Sequence, residues 1–478
     1  MTKERPKVEN VKHQQRVLMA TSLSYVIVIL DTSIVNVALQ PIANSLSGGI
    51  AGLQWIVTAY TLTFASLLLT GGTLGDRHGA RNVYIAGLAA FTVASALCGA
   101  APSLALLVAG RIIQGVGAAL LVPASLALIN HTWSNPRERA AVFGVWAGLG
   151  GVAMASGPLL GGVLIGLIGW RSIFLVNVPI CLAGIVLALR VPAAPSDSPM
   201  ANTRSFDLAG QLAGIAALAL LNIAIISAPR DGWGSPAVLG CMVAALAAGA
   251  AFVAIEATRA QPMMPLDLFR HAVFPAAVWA SMVSAITFYG LMFDLSLLFQ
   301  RQFGYTPLHA GLAFLPLTIV VPVGSLLSKR ASGWLGVKWL VAGAFLLSAG
   351  GYFALMVLGP SAPYALLALP LPAIGFAASL ITPATTAAMM ASVDRQRAGI
   401  AAGVLNAARQ TGALLGVALS GGLIARHAEI GEGMQPGFVI AGVLSLSAGA
   451  IWWRAATRSG SQDGVASPAI QPVQRRSN

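Results

Sequence analysis

Four charged side chains interrupt long apolar stretches of this sequence: Asp31, Arg111, Asp294 and Arg409. A charged residue at the centre of a hydrocarbon layer costs about 2.5–3.5 kcal/mol, so it usually faces a cavity, pairs with an opposite charge or carries protons. Asp31 lies about two-thirds of the way along residues 16–39, a stretch long enough to span a bilayer. It therefore predicts a membrane protein that couples the movement of a compound to protons. The alternative is that Asp31 only pairs with a basic residue to fix helix packing.

Asp31 and Arg111 are predicted to lie at the same depth. Arg111 is about eight residues inside the outer end of its stretch, residues 104–129, and Asp31 is a similar distance from the outer end of the first stretch. An arginine there would keep the carboxylate ionised until protonation breaks the pair. The spacing predicts a proton switch, and a permanent structural pair fits the same spacing.

The other two charges belong to the second half of the chain. Asp294 is five to six residues before the outer end of residues 272–299. It could bind a cationic compound or carry a second proton, and it could equally be an acid wetted from outside. Arg409, near the middle of residues 398–425, is the buried cation of that half. For both residues we predict substrate binding or secondary coupling.

The composition is typical of an integral membrane protein. Of the 478 residues, 57% are hydrophobic and only 9% are charged, and the mean hydropathy is +0.79. Soluble domains carry about 25% charged residues. The net charge of +13 comes from basic residues scattered singly and in pairs, which excludes a patch that would bind nucleic acid.

The sequence contains no signature of nucleotide hydrolysis or metal chemistry. It has no Gly-x-x-x-x-Gly-Lys-Ser/Thr loop, and its three cysteines lie apart in apolar segments. We therefore predict a protein that is not an enzyme and holds no cofactor and no metal. The energy source must then be an ion gradient, and the buried acid favours protons.

Fourteen apolar segments are predicted to cross the membrane as helices, since backbone groups in lipid must bond within their own segment. Most hold 19 or more residues, about the length that a 30 Å hydrocarbon layer requires. The segments are 16–39, 52–74, 83–101, 104–129, 140–167, 172–190, 207–228, 235–257, 272–299, 308–327, 337–358, 362–390, 398–425 and 436–456.

The distribution of basic residues predicts the orientation. Only Arg171, Arg230, Arg301 and Arg426 fall in predicted outer loops, and Arg111 and Arg409 fall within spans. All other Lys and Arg residues fall on the opposite side, as the positive-inside rule expects for the cytoplasm. Both termini are therefore predicted to be cytoplasmic.

An internal repeat divides the chain. Residues 115–123 and 375–383 share the same Gly-to-Pro spacing, and each leads to an Arg-x-Arg-Ala loop and a later Gly-Gly pair, at an offset of about 260 residues. Duplicated halves with a site at their interface are a common transporter plan. We predict an all-α fold with the following parts: a cytoplasmic segment 1–15, a six-helix bundle 16–190, an inserted hairpin 207–257, a second six-helix bundle 272–456 and a disordered cytoplasmic tail 457–478.

Seven motifs in order resemble those of the fourteen-helix drug:H⁺ antiporter-2 family of the major facilitator superfamily. They are residues 30–39 (LDTSIVNVAL), 72–81 (GTLGDRHGAR), 111–117 (RIIQGVG), 157–162 (GPLLGG), 170–179 (WRSIFLVNVP), 310–316 (AGLAFLP) and 406–412 (NAARQTG). One departure is Gln40, which stands between the first motif and Pro41 where the family usually has Pro directly. The resemblance implies the major facilitator fold, in a multi-pass protein of the bacterial inner membrane.

The resemblance also implies a conformational latch at the cytoplasmic face, formed by Asp76, Arg77 and Arg81. In the family this loop locks the outward-facing state and releases it during the cycle. Ion pairs and helix N-termini at this face can hold two bundles together. For the two arginines, a solvated turn that obeys the positive-inside rule is an alternative.

The fifth-helix motif, with Gly157, Pro158, Gly161 and Gly162, is linked by the resemblance to antiport rather than uptake. Pro158 removes a helix hydrogen bond, and the glycines allow another helix or a substrate to approach closely. Ordinary glycine-mediated helix packing is compatible with the same pattern.

We predict a secondary active transporter, a proton-coupled antiporter that exports small apolar or cationic compounds, such as drugs, from the cytoplasm by alternating access. Its partners would be its small-molecule substrate, protons and membrane lipid, and it would act as a monomer. One alternative is an exporter dedicated to a single host-made metabolite, such as an antibiotic or siderophore. An alternative of another class is a membrane sensor or scaffold that transports nothing.

Overall fold

The computed structural model of the chain describes residues 5–191, 207–259, 264, 266–393 and 398–463. Helices are the only regular secondary structure among these residues. Apolar residues surround most of them on all sides, which is typical of helices that pack in lipid. In chain order the helices are α1 (Arg5–Leu46), α2 (Ile50–His78), α3 (Ala80–Gly99), α4 (Leu104–Thr132), α5 (Pro136–Ile168), α6 (Ser172–Leu175), α7 (Asn177–Leu189), α8 (Leu208–Asp231), α9 (Pro236–Thr258), α10 (Val273–Leu297), α11 (Pro307–Ala313), α12 (Leu315–Thr318), α13 (Val320–Leu358), α14 (Tyr364–Leu367), α15 (Leu371–Ala391), α16 (Ala398–Ile424) and α17 (Ile430–Asp463).

Several helices begin with a side-chain cap at a short connection. The Ser103 hydroxyl accepts a hydrogen bond from the Leu106 amide at the start of α4, at 3.4 Å. Ser235 and Thr306 cap α9 and α11 in the same way, each followed directly by a proline. These caps satisfy amides that the first helical turn leaves free. The connections before α4 and α9 bring each of these helices against the helix that precedes it, α3 and α8.

Twelve helical stretches among the described residues are long and apolar enough to cross a membrane. One of them, Pro307–Leu358, is 52 residues long and contains two predicted spans. The predicted thirteenth span forms α16. Because of its polar residues, α16 is not counted among the twelve stretches. The fold is therefore all-helical with about 12 to 14 membrane-capable helices, and the count of fourteen stays a prediction.

Two predicted boundaries were wrong. The segment 328–336, expected to be a loop, is helical, and the direction changes at Gly336, whose φ of 75° suits a residue without a side chain. The last helix continues to Asp463, so the first residues of the predicted tail, 457–463, are helical in this structure. Residues 464–478 lie outside the described part of the chain.

The two ends of the molecule differ in how their cores are organised. We call the end with the connections 47–49, 100–103 and 303–306 the outer end, as the sequence predicts, and the opposite one the inner end. At the outer end, one apolar core joins residues of α1, α2 and α5 to residues of α10, α11 and α17. At the inner end there are two separate apolar cores. One is made of residues from the range 17–191 and the other of residues from the range 268–455. Among the described residues, the cores of the two halves therefore merge toward the outer end.

The hairpin α8–α9 lies against one seam between the halves. α8 contacts α2 of the first half and α16 of the second. Ile225 and Ile226 pack with Ala418, beside Trp55. α9 is largely exposed, with only 11% of the residues in its most apolar part buried.

Candidate functional site

The Asp31 carboxylate lies at the centre of a buried polar cluster in the first half, which we call the Asp31 cluster: Asp31, Ser95, Arg111, Gln114 and Asn177. Asp31 is 1% exposed and Arg111 is 0% exposed. The Arg111 Nη1 atom forms an ion pair with Asp31 Oδ2. The structure thus brings together the two charges that the sequence placed at equal depth.

The second oxygen of Asp31 is also satisfied. Gln114 Nε2 donates to Asp31 Oδ1 at 3.3 Å, and Asn177 Nδ2 donates to the same atom at 3.1 Å. Both amides also donate to Ser95 Oγ, at 2.9 and 3.5 Å. Charge-assisted hydrogen bonds of this kind are stronger than neutral ones. The cluster therefore gives both oxygens of the Asp31 side chain hydrogen-bond donors.

Arg111 is held from its other side. Its Nε donates to the Ile56 carbonyl of α2 at 3.0 Å, and its Nη1 also donates to Gln114 Oε1 at 2.9 Å. The guanidinium lies 4.3 Å from the centre of the Tyr60 ring, a distance at which cation–π attraction acts. Five helices therefore contribute to this site, namely α1, α2, α3, α4 and α7.

Asp294 occupies a very different environment inside the second half. It is 3% exposed, and its Oδ2 accepts one long hydrogen bond from Ser420 Oγ, at 3.3 Å. Its Oδ1 has no hydrogen-bond partner among the described residues, and the Tyr352 side chain lies nearby. Both residues line a cavity of about 30 Å³, which we call the Asp294 cavity, together with Thr287 and Phe438. This volume is enough for one water molecule.

Arg409 lies apart from both acids. Its Nη2 donates to Thr386 Oγ1 at 2.6 Å and to the Thr382 carbonyl at 3.3 Å, and its Nη1 to Asn406 Oδ1 at 3.4 Å. The side chain is partly exposed, in the middle of α16. It is close enough to Tyr25 on α1, in the first half, for the two side chains to interact electrostatically. Arg409 is therefore partly exposed and interacts with the first half, whereas Asp294 is buried within the second half.

Polar contacts between the halves occur at the outer end. Ser296 on α10 donates to the Asn36 carbonyl on α1, and Arg301 donates to Gln40. On the seam beside α8, Gln54 Nε2 donates to the Ala418 carbonyl at 2.9 Å. These bonds and the shared apolar core close the outer end in this conformation.

The glycines of the fifth-helix motif lie where α5 meets its neighbours most closely. A Cβ atom at Gly157 would overlap Ser33 on α1, and one at Gly162 would lie 2.6 Å from the Pro307 carbonyl oxygen at the start of α11. Real Cβ atoms do not approach other atoms so closely. Gly162 therefore permits a contact between the two halves at the outer end, and Gly157 a contact within the first.

The predicted latch is only partly described. The Asp76 side chain lies outside the described part of the structure, and Arg77 is exposed. Arg81 donates to the last carbonyls of α7, from Nε to Ala188 at 3.0 Å and from Nη2 to Leu189 at 2.9 Å. In this conformation Arg81 therefore caps a helix of its own half.

Sequence reasoning did not single out three members of the Asp31 cluster, namely Ser95, Gln114 and Asn177. Gln114 and Asn177 lie within quoted motifs, residues 111–117 and 170–179, and an amide within an apolar span is a usable signal because it needs a polar partner there. Ser95 gave no such signal, since serine commonly bonds to its own helix backbone.

Comparison with known proteins agrees with this architecture. The chain matches the family model described as Major Facilitator Superfamily over residues 21–416 and 277–475. The methylenomycin A resistance protein of Bacillus subtilis (strain 168) is 38% identical over 447 residues, which cover 93% of this chain and 95% of that protein. The multidrug resistance protein Stp of Mycobacterium tuberculosis (strain CDC 1551 / Oshkosh) is 36% identical over 409 residues, covering 85% of this chain and 75% of that protein.

Another relative is the puromycin resistance protein pur8 of Streptomyces alboniger, 34% identical over 481 residues, covering 96% of this chain and 94% of that protein. Among solved structures, a bacterial homologue of the human lysosomal transporter Spinster superimposes with a TM-score of 0.62 at 20% identity, covering 94% of this chain and 98% of that one. That likeness shows the fold, with helices that make a multi-pass membrane protein. Since the family match and these relatives each extend along most of the chain, the chain belongs to the major facilitator superfamily.

Proposed function

We propose that the protein exports small organic compounds from the cytoplasm across the bacterial inner membrane in exchange for protons. The observation that carries this proposal is the Asp31 cluster, a buried acid whose ion pair joins α1 to α4. The names of the relatives, which are antibiotic and multidrug resistance proteins, support export as the direction. The sequence predicts apolar or cationic compounds as the exported molecules.

Coupling would depend on the competition between Arg111 and a proton for Asp31. While Asp31 is ionised, the pair and the two amides keep five helices of the first half together. Protonation would remove the charge that Arg111 neutralises and leave a buried cation in need of a new partner. The first half would then change its packing, and that change would be transmitted to the contacts at the outer end.

Asp294 would serve as a second acid with the opposite preference. A buried carboxylate without a cation is costly to ionise, and no described cation lies within ion-pair distance of it. We propose that it holds a proton in this conformation and releases it when water reaches the Asp294 cavity. The two acids would then exchange protons at different stages of the cycle.

Alternating access would require the outer end to open. In this conformation the bonds from Ser296 and Arg301 close it, and Tyr25 and Arg409 remain partly exposed on the inner side. We therefore interpret this conformation as the state that accepts a compound from the cytoplasm. The latch residues Asp76, Arg77 and Arg81 would then engage only when the inner end closes.

The test of coupling uses everted vesicles that contain the full chain and an imposed pH gradient. Addition of an exported compound should dissipate the gradient, and an uncoupler should abolish uptake of the compound into the vesicles. Transport at the wild-type rate without any proton gradient would contradict the proposal. A panel of compounds tested in a pump-deficient host would separate a multidrug exporter, with many affected compounds, from a dedicated exporter, with one.

The close contact at Gly162 offers a test of alternating access with a matched control. Gly162→Ala should push α5 away from Pro307 and favour the state that is open at the outer end. Gly166→Ala changes the same helix one turn further on, where a Cβ atom would meet nothing within 4 Å. Labelling of cysteines introduced along α11 by an impermeant reagent from the outer side should rise in Gly162→Ala and remain at the wild-type level in Gly166→Ala. Equal labelling in both variants would argue against this contact as an outer gate, and a protein that transports no compound in any assay would favour a sensor.

A further inference from the structure

The guanidinium of Arg409 is an incompletely bonded cation in the middle of a membrane-spanning helix. A guanidinium has five N–H donors, and three of them bond to Thr382, Thr386 and Asn406. The Nε atom has no partner among the described residues although it is buried. An arginine in such a position therefore retains free capacity for hydrogen bonding.

Arg409 also lacks a neutralising acid within the part of the chain that the structure describes. Asp31 is paired with Arg111, and Asp294 bonds to Ser420. All three groups that Arg409 bonds to are neutral: a hydroxyl, a backbone carbonyl and an amide. A charge at this depth is costly without an opposite charge, so the site is electrostatically incomplete.

The surroundings of Arg409 have the composition of a ligand site. Tyr25 of the first half stacks on Trp146 with ring centres 3.5 Å apart, and both Tyr25 and Tyr289 are within electrostatic range of Arg409. Tyr25, Tyr289 and Thr386 are all partly exposed. Aromatic surfaces with a few convergent polar groups are typical of small-molecule sites.

We propose that Arg409 binds an acidic group, a carboxylate or an equivalent anion, of the exported compound. The inference rests on the proposed export function and names its substrate class: small organic acids with an apolar or aromatic body. The anion accepts hydrogen bonds from the free N–H groups of Arg409, and the body lies against Tyr25 and Tyr289. A cationic compound is disfavoured here because it would meet an unneutralised guanidinium.

The test measures equilibrium binding to the purified full chain in detergent at neutral pH, without any gradient. The probes are benzoate, cyclohexanecarboxylate and 1-naphthylacetate, each paired with its own primary amide, which keeps the shape and removes the charge. Titration calorimetry should show at least one acid binding about tenfold or more tightly than its amide, as expected for a charge-assisted bond. If no acid binds more tightly than its amide, the proposal is overturned.

Two variants then assign the preference to Arg409. Arg409→Gln should reduce the ratio of acid to amide affinity to less than about twofold, and Arg409→Lys, which keeps the charge, should retain part of it. The control is Arg426→Gln, which removes an exposed arginine beside Trp233 and should leave the ratio unchanged. Thermal unfolding shows whether Arg409→Gln folds. If it does not, the ratio of acid to amide affinity in Arg409→Lys alone tests the role of Arg409.

The outcomes separate this inference from the proposed function. A preference for acids that persists in Arg409→Gln overturns the role of Arg409, whatever the protein transports. Acid binding that depends on Arg409, combined with no proton-coupled flux of the bound acid, leaves the binding site in place and contradicts the export function. Export of cationic compounds alone, unchanged in Arg409→Gln, overturns the substrate class and leaves proton-coupled export intact.

Discussion

Asp31 and Asp294 are buried acids in the two repeated halves of one chain, but their surroundings differ in every respect that matters for a charge. Asp31 has an arginine on one oxygen and two amide donors on the other. Asp294 has one long bond from Ser420 and an oxygen without a partner among the described residues. A buried charge is tolerated when it is paired and hydrogen-bonded. The two halves therefore share a helical frame, but the buried acid of each half has its own chemical surroundings.

The variant Asp31→Asn should have the largest effect. It leaves Arg111 buried without its carboxylate, which costs about 3–5 kcal/mol, and it removes the proposed proton acceptor. Gradient-driven efflux in everted vesicles should fall to background, and the thermal midpoint of the purified protein should fall as well. The double variant Asp31→Asn with Arg111→Gln removes both charges, so it should regain stability but not transport. Restored transport in the double variant would mean that the pair is only structural.

The variant Asp294→Asn should separate the two acids. No described cation is left unpaired by it, so we expect the free energy of unfolding to change by no more than about 1 kcal/mol. The number of protons exchanged for each exported compound should fall, because one of the two proposed acids is absent. The measurement combines thermal unfolding with proton and substrate fluxes in the same vesicles. A loss of stability as large as that of Asp31→Asn would show that Asp294 is as important for stability as the paired Asp31, and would contradict this prediction.

The variant Asn177→Ala should weaken the Asp31 cluster without removing a charge. It deletes one of the two donors to Asp31 Oδ1, and leaving a buried acceptor less satisfied costs about 1–3 kcal/mol. Transport should continue at a reduced rate. Ser95→Ala is the control, because Ser95 bonds to the two amides and not to Asp31, so its loss should be smaller. Equal losses would mean that the network acts as a unit.

The variant Ser420→Ala should have the smallest effect. It removes the 3.3 Å bond to Asp294, a contribution of about 0.5–1.5 kcal/mol at most. Ser445 is a buried serine whose hydroxyl has no partner among the described residues, so Ser445→Ala should be neutral or slightly stabilising. Chemical denaturation of both variants gives the comparison. A large loss of transport in Ser420→Ala, without a loss of stability, would raise Ser420 to a member of the coupling site.

The sequence predicted the helical membrane fold well, because apolar length and the distribution of charges are local properties of the chain. It also placed Asp31 and Arg111 at one depth, since residues in antiparallel spans can be counted from the same end. It did not predict the contrast between Asp31 and Asp294, because the direction in which a side chain points depends on how the helices rotate against their neighbours. The prediction of a loop at residues 328–336 was wrong for a different reason. Lys329 and Arg330 indicate a boundary of the membrane, but a helix can continue into water beyond it.

The hairpin on one seam has a consequence for the route by which a compound leaves. On that side α2 and α16 are covered by α8, so separating them at the outer end would disrupt two layers of apolar packing. On the opposite side α5 and α11 meet through the Gly162 contact, and no hairpin lies over them among the described residues. Separation of the halves therefore requires less disruption beside α5 and α11. We expect departing molecules to pass between those two helices, close to the outer leaflet, rather than along the axis of the protein.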